Sequence, residues 1–201
     1  IATFVLTNSF HGTWGEQWRV AQTEMSGYAQ DVDADDPRAV QRVFDPTPYP
    51  IIAHPGFQRL LVGVAEMTED AEGDFALEPE ELELTFHQMG LFAEDGQGAS
   101  NAPEGTHQDG VDYIVSALVV ERTGVTGGVS LVKGDDRKSE LLQIELQPGQ
   151  GLFQADQGAG LWHDITPIEL MQTAWGVPDR GVRNIFGFDI NVLSRRPRLG
   201  T

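Results

Sequence analysis

The chain has no cysteine. That excludes disulfides, thiolate zinc sites, iron–sulfur clusters and cysteine nucleophiles together. It suits a reducing compartment, so the expected location is cytoplasmic. Positive charge is also scarce: Lys plus Arg number 13 against 31 Asp plus Glu, a formal charge of −18, and only Lys133 and Lys138 are lysines. A surface this acidic repels phosphate backbones and anionic lipid, so neither nucleic acid nor membrane is an expected partner. Long apolar runs are missing as well. The longest near-continuous one, 113–120, falls far short of the ~20 residues needed to cross a bilayer. No signal peptide stands out. With 201 residues, 40% of them hydrophobic, the chain is long enough to bury a core, and one domain spanning 1–201 is the expectation.

Hydrophobic spacing changes character along the chain. Thr13-x-x-Glu16 reads as a capping box, and Trp14, Trp18, Ala21 and Met25 follow at helical spacing, which predicts a helix over 14–26 ending at Gly27. Asp31, Asp33, Asp35 and Asp36 form an acidic turn. It lacks the Gly and Glu that a calcium loop needs at its sixth and twelfth positions, and reads as a solvated loop. Pro55 opens a second helix, with Phe57, Leu60, Leu61 and Val64 on one face. Residues 68–83 show no apolar period and read as an acidic loop. From 82 onward the pattern is β: strands over 82–87, 112–121, 129–133, 141–146, 151–154 and 183–192, separated by Gly- and Pro-rich turns. The expected fold is mainly β with flanking helices, a double-stranded β-helix of the jelly-roll, cupin-like kind. Its catalytic β core would span 81–192, with a helical or irregular part over 1–80 packed on it.

Two of the five histidines have informative neighbours. His107-Gln108-Asp109 is an H-x-D triplet in a Gly-rich turn before a strand. In extended backbone, residues i and i+2 point the same way, so one imidazole and one carboxylate can meet one metal. His163, beside Trp162 and before Thr166-Pro167, is the candidate third ligand. Two His and one carboxylate form the facial triad of non-haem iron(II) oxygenases. Arg183 then opens a strand; a chelating anionic cosubstrate needs a cation at its far end, and Arg offers a bidentate fork. The order H-x-D, His, Arg is the one 2-oxoglutarate-dependent oxygenases present. Arg180 is the rival cation, in a turn-like Asp-Arg-Gly setting. His11, His54 and His87 read as structural.

The stretch Pro103-Glu104-Gly105-Thr106-His107-Gln108-Asp109-Gly110-Val111-Asp112-Tyr113 resembles the signature of a bacterial 2-oxoglutarate/iron dioxygenase family that includes isoleucine dioxygenase and hydroxylates free L-amino acids. Gly127-Gly128-Val129-Ser130, His163 with Thr166-Pro167-Ile168, and Gly181-Val182-Arg183-Asn184 resemble its later elements in the same order. The resemblance covers 82–192. Where the family often has Arg after a His-Gln pair, His87-Gln88 is followed by Met89-Gly90, which leaves the substrate open. The resemblance implies Fe(II) on His107, Asp109 and His163, and 2-oxoglutarate with its distal carboxylate on Arg183. O2 and an amino acid would be the co-reactants, with succinate and CO2 released and one C–H bond hydroxylated. The oligomeric state is left open.

Other residues have two readings each. Glu104 and Asp112 either bind a substrate ammonium or serve the turn. Arg122 binds a substrate carboxylate or is a solvated strand end. Trp162 walls the pocket or belongs to the core. Ser130 is a candidate hydrogen-bond partner of the cosubstrate. Two other functions remain: a cupin-type metalloprotein without 2-oxoglutarate, poorly matched because Tyr113 and Ile114 stand where a Glu is needed, and a calcium-holding jelly-roll binding module. The same chemistry on a carrier-bound or peptidyl substrate is a third.

Overall fold

The computed structural model describes residues 1–9, 17–23, 45–94, 96–100, 102 and 104–198. The capping box at Thr13, the acidic turn at 31–36 and His11 lie outside the described residues. The chain forms two compact units, one of residues 1–29, 41–86 and 189–201, the other of 30–40 and 87–188.

In the first unit, β1 (Ala2–Ser9) pairs antiparallel with β2 (Gln17–Thr23), Leu6 standing opposite Val20. The described part of the predicted helix over 14–26 is therefore a strand. Trp18 is buried and Val20 half-buried, while Arg19 is exposed, which is a period of two; Ala21, which the helical reading put on the apolar face, is exposed. After the short helix α1 (Tyr49–Ile52) comes α2 (Pro55–Gly73). Pro55 suits the first turn because its missing N–H has no partner there. His54 caps the helix, its Nδ1 accepting from the Gly56 amide at 3.1 Å. Phe57, Leu61, Val64, Ala65, Thr68 and Glu72 make the buried face. Phe57 meets Phe86 edge-on at 4.8 Å and Phe4 at 5.7 Å.

The acidic loop expected over 68–83 is instead the end of α2 and the start of β3 (Leu77–Glu94). The helix continues because Glu72 is not solvated: its carboxylate takes two bonds from Arg195, 2.7 Å from Nε and 3.1 Å from Nη2. Arg195 lies on β11 (Arg180–Pro197), 123 residues away.

The second unit holds the jelly roll. Its strands are the far half of β3, β4 (Tyr113–Thr123), β5 (Val125–Gly127), β6 (Ser130–Lys133), β7 (Glu140–Ile144), β8 (Gly151–Ala155), β9 (Trp162–Ile165), β10 (Ile168–Leu170) and the near half of β11. β11, β4 and β8 lie side by side, with a register shift in β4 between Val115 and Ala117. β7, β6 and β9 form a second sheet, and β10 pairs with β5. Ala117, Val119, Leu146 and Ile185 form one buried cluster; Leu91, Ala93, Val125 and Ile168 form another. No described helix is long and apolar enough to cross a membrane.

Candidate metal and anion site

His107 and His163 stand opposite each other in an isolated antiparallel bridge. The His107 amide donates to the His163 carbonyl at 2.9 Å, and the His163 amide donates back at 3.0 Å. Residues paired this way project side chains to the same face, and the two imidazoles lie 4.2 Å apart between centroids. Asp109, two residues beyond His107, comes to that face as well. Its Oδ1 is 3.5 Å from His107 Nε2 and its Oδ2 is 3.4 Å from His163 Nε2. One ligand atom from each of the three lies within 4.8 Å of the others. Two imidazole nitrogens and a carboxylate converging on one point can hold a divalent transition metal.

The surroundings fix this geometry. His107 Nδ1 is 2.6 Å from the Gly105 carbonyl, which assigns its proton to Nδ1 and frees Nε2. The Gln108 side-chain amide donates to the carbonyls of Asp156 (2.7 Å) and Leu161 (2.8 Å), pinning the H-x-D loop. Thr106 donates to Asp164 at 2.8 Å, and Lys133 Nζ reaches both, at 2.6 Å and 3.1 Å. This ties the loop to β6 and β9. Burial pushes the Asp164 carboxyl up, but Thr106, Lys133 and the Ile165 amide outweigh it and hold the group low.

The electrostatics favour a cation. Burial opposes the charged form of Asp109, yet the hydrogen bonds and positive fields of His107 and His163 hold its carboxyl far below the ordinary range. Burial alone would lower His107; the hydrogen bond and charge of Asp109, then the Gly105 carbonyl and Glu104, raise it on balance. Burial and the nearby Asp109 charge push the Asp156 carboxyl up. Glu104 adds a further carboxylate, with Oε1 3.5 Å from His107 Nε2 and a buried Oε2 that has no hydrogen-bond partner among the described residues. Carboxylates gathered around two imidazoles are stabilised by a divalent ion between them.

Arg183 has no exposed surface, and among the described residues none of its three guanidinium nitrogens has a hydrogen-bond partner. Burial, then the charge of Arg122, pulls it down to about 10, with Glu145 opposing. Burying an unpaired charge is costly unless another group compensates it, so such a guanidinium is chemically suited to receive an anion. Gly128 makes room for it, since a Cβ there would come within 2.9 Å of Arg183 Cδ. The rival Arg180 is exposed, paired with Glu94 at 2.7 Å and stacked on Phe92.

The remaining candidates are spread out. Arg122 Nη2 is held by the Gly127 carbonyl (2.8 Å) and Glu145 (2.9 Å), while its Nη1 is buried with no hydrogen-bond partner among the described residues. Ser130 is buried on β6, opposite Ile165. Asp112 is half-buried, and its carbonyl accepts the Asp156 amide at 3.0 Å. Trp162 precedes His163 on β9, so strand alternation turns it to the other face, where the Arg137 guanidinium lies 3.5 Å over its ring. Sequence reasoning missed Gln108, Asp156 and the Thr106–Lys133–Asp164 clamp. All act on partners 27 to 58 residues away, and no local motif marks them.

A family model described as 2OG-Fe dioxygenase matches residues 7–189. No curated protein matches the sequence. Among solved structures, a bsmA homologue from Methylobium petroleophilum PM1 superposes with a TM-score of 0.72 at 21% identity, covering 96% of this chain and 70% of its own. IDO from Bacillus thuringiensis superposes with a TM-score of 0.66 at 14% identity, covering 96% of this chain and 77% of its own. These likenesses share the fold with the jelly roll described above. The family match runs through most of the chain and takes in the imidazole–carboxylate cluster and the buried guanidinium, whose chemistry suits Fe(II) and 2-oxoglutarate, and on that ground the chain belongs to the 2OG-Fe dioxygenase family.

Proposed function

We propose that this dioxygenase hydroxylates an aliphatic C–H bond of a free L-amino acid. In this reading His107, Asp109 and His163 hold Fe(II), and Arg183 binds the distal carboxylate of 2-oxoglutarate. The observation that carries it is the coexistence in one unit of a three-donor cluster and a fully buried guanidinium with no hydrogen-bond partner among the described residues. A cupin-type metalloprotein or a calcium module has no use for that guanidinium.

When bound, iron with 2-oxoglutarate and O2 supplies the oxidising power, with succinate and CO2 as co-products. The protein's part is orientation. The Gly105 carbonyl keeps the His107 proton on Nδ1, leaving Nε2 free as a donor. Asp109 presents one oxygen to each imidazole. Arg183 offers its fork to a carboxylate, and buried Ser130 is the candidate second hydrogen-bond partner for the same cosubstrate. The free Oε2 of Glu104, beside the metal ligands, is placed to accept from a substrate ammonium. Arg122 Nη1 is the candidate partner for a substrate carboxylate. A zwitterion needs one receptor of each sign, and that is the support for a free amino acid over a carrier-bound or peptidyl residue, whose backbone charges are blocked. Asp112 and Trp162 are given no direct contact with substrate.

The test is incubation of the full chain with Fe(II), ascorbate, 2-oxoglutarate and a panel of L-amino acids, read by mass spectrometry. One amino acid gaining one oxygen atom, with one succinate formed, supports the reading. Succinate release without any oxidised amino acid keeps the dioxygenase and removes the substrate class.

A further inference from the structure

Asp156 follows β8 with none of its surface exposed. One of its oxygens, Oδ2, accepts the backbone amides of Asp109 (2.9 Å), Gly110 (2.8 Å) and Val111 (3.4 Å). The other, Oδ1, is buried with no hydrogen-bond partner among the described residues, and it faces His163 Nδ1 at 3.7 Å. That nitrogen is likewise buried and has no hydrogen-bond partner among the described residues. One carboxylate thus touches the turn that carries the second metal ligand and the back of the ring that carries the third.

We propose that Asp156 is a positioning residue of the metal centre: it holds the Asp109 turn through Oδ2 and keeps the His163 proton on Nδ1 through Oδ1, so that Nε2 is the nitrogen offered to the metal. The inference rests on the ligand set His107, Asp109 and His163. Its logic is that of His107, whose Nδ1 faces the Gly105 carbonyl while its Nε2 faces Asp109. A ligating imidazole is oriented by the acceptor behind its other nitrogen, and removing such an acceptor costs about ten- to a hundredfold in metal affinity.

Asp156→Asn separates this role from a purely structural one. The amides of Asp109 and Gly110 demand an acceptor, so the Asn carbonyl takes the place of Oδ2. Its NH2 then points at His163 Nδ1, which must accept, and the ring proton is driven to Nε2, where it blocks the metal. The turn keeps its bonds, so the fold survives. The measurement is Mn(II) affinity of the metal-stripped full chain by equilibrium dialysis, for wild type, D156N and H107A, with circular dichroism and Tm as controls. We expect D156N to bind Mn(II) about ten- to a hundredfold more weakly with a near-native Tm. H107A losing Mn(II) while D156N keeps wild-type affinity overturns the role of Asp156 and leaves the ligand set standing. H107A binding like wild type removes the ligand set, and the proposal with it. Should D156N not fold, the wild-type protein loaded with Zn(II) decides: nitrogen-15 NMR must find His163 protonated on Nδ1 and metal-bound through Nε2, and the opposite tautomer overturns the proposal.

Discussion

Gly128 lies directly against the side chain of Arg183: a Cβ on residue 128 would stand 2.9 Å from Cδ and 3.0 Å from Nε. Its φ of +62° adds a second reason for glycine, because side chains rarely adopt that conformation. Gly128→Ala must therefore displace the guanidinium. The expected result is a several-fold rise in KM for 2-oxoglutarate with a smaller effect on kcat, and a stability loss of about 1–2 kcal/mol from the left-handed backbone. Steady-state kinetics and a melting curve check both; an unchanged KM would detach the cosubstrate from Arg183.

Removing the cation itself has a larger effect. If Arg183 holds the distal carboxylate of 2-oxoglutarate as proposed, Arg183→Ala deletes a buried, charge-assisted contact, a loss of about 2–5 kcal/mol in binding. KM for 2-oxoglutarate should rise at least tenfold, with Arg183→Lys recovering only part because it lacks the planar fork. Arg180→Ala, which removes an exposed pair with Glu94, serves as the control. A large effect there and none at Arg183 would exchange the two roles.

The proposed metal ligands make a third expectation. His107→Ala or His163→Ala removes one imidazole of a three-donor cluster. Metal affinity and turnover should collapse together while circular dichroism keeps its β signature. Wild-type turnover in either variant would end the assignment.

What the sequence made legible follows from the range of the interactions involved. His107 and Asp109 are two residues apart, and extended backbone alone brings them to one face. His163 and Arg183 are legible through their order along the chain and through the short stretches around them that resemble the family's later elements. Pro55 marks the start of α2, a run of β-branched residues marks β4, and alternating apolar residues mark β11. The first strands were not legible: Trp14, Trp18, Ala21 and Met25 fit a helical stripe, but pairing of β2 with β1 overrides that spacing. Residues 68–83 read as an acidic loop because the partner that buries Glu72, Arg195, is 123 residues distant. Asp156 sits in an ordinary Gln154-Ala155-Asp156-Gln157 stretch; the amides it binds are 45 to 47 positions away.

That distant pair also carries stability in the first unit. Glu72 is buried, and Arg195 reaches both its oxygens. Glu72→Ala removes the acceptor of Arg195 Nε and Nη2, while Nη1 keeps the Val192 carbonyl (3.3 Å), and Arg195 is about one-third exposed, so water compensates part of the loss. The expected cost is about 1–3 kcal/mol, measured as a lowered urea midpoint. Glu72→Gln, which keeps one acceptor, should lose less. Equal losses in both would mean the charge, and not the hydrogen bonding, stabilises the end of α2.

The turn after β6 gives a pH dependence whose sign is fixed. Asp136 accepts the amides of Lys138 (2.9 Å) and Ser139 (2.8 Å) and the Ser139 hydroxyl (2.6 Å). The hydroxyl and the two amides favour its charged form and bring the carboxyl down to about 2 from 3.8. A carboxyl depressed in the folded state adds stability that is fully present above its unfolded value and is lost as pH falls through the folded one. The turn should therefore hold at neutral pH and loosen between about 4 and 2. Between Asp136 and Lys138 sits Arg137, whose guanidinium covers Trp162, the neighbour of His163. Loosening the turn should free that contact too. The measurement is an NMR titration of the Ser139 amide shift, with a midpoint near 2 expected in wild type and no such titration in Asp136→Asn. A midpoint at the ordinary carboxylate value would mean that these hydrogen bonds do not persist in solution, and that Trp162 is not held by this turn.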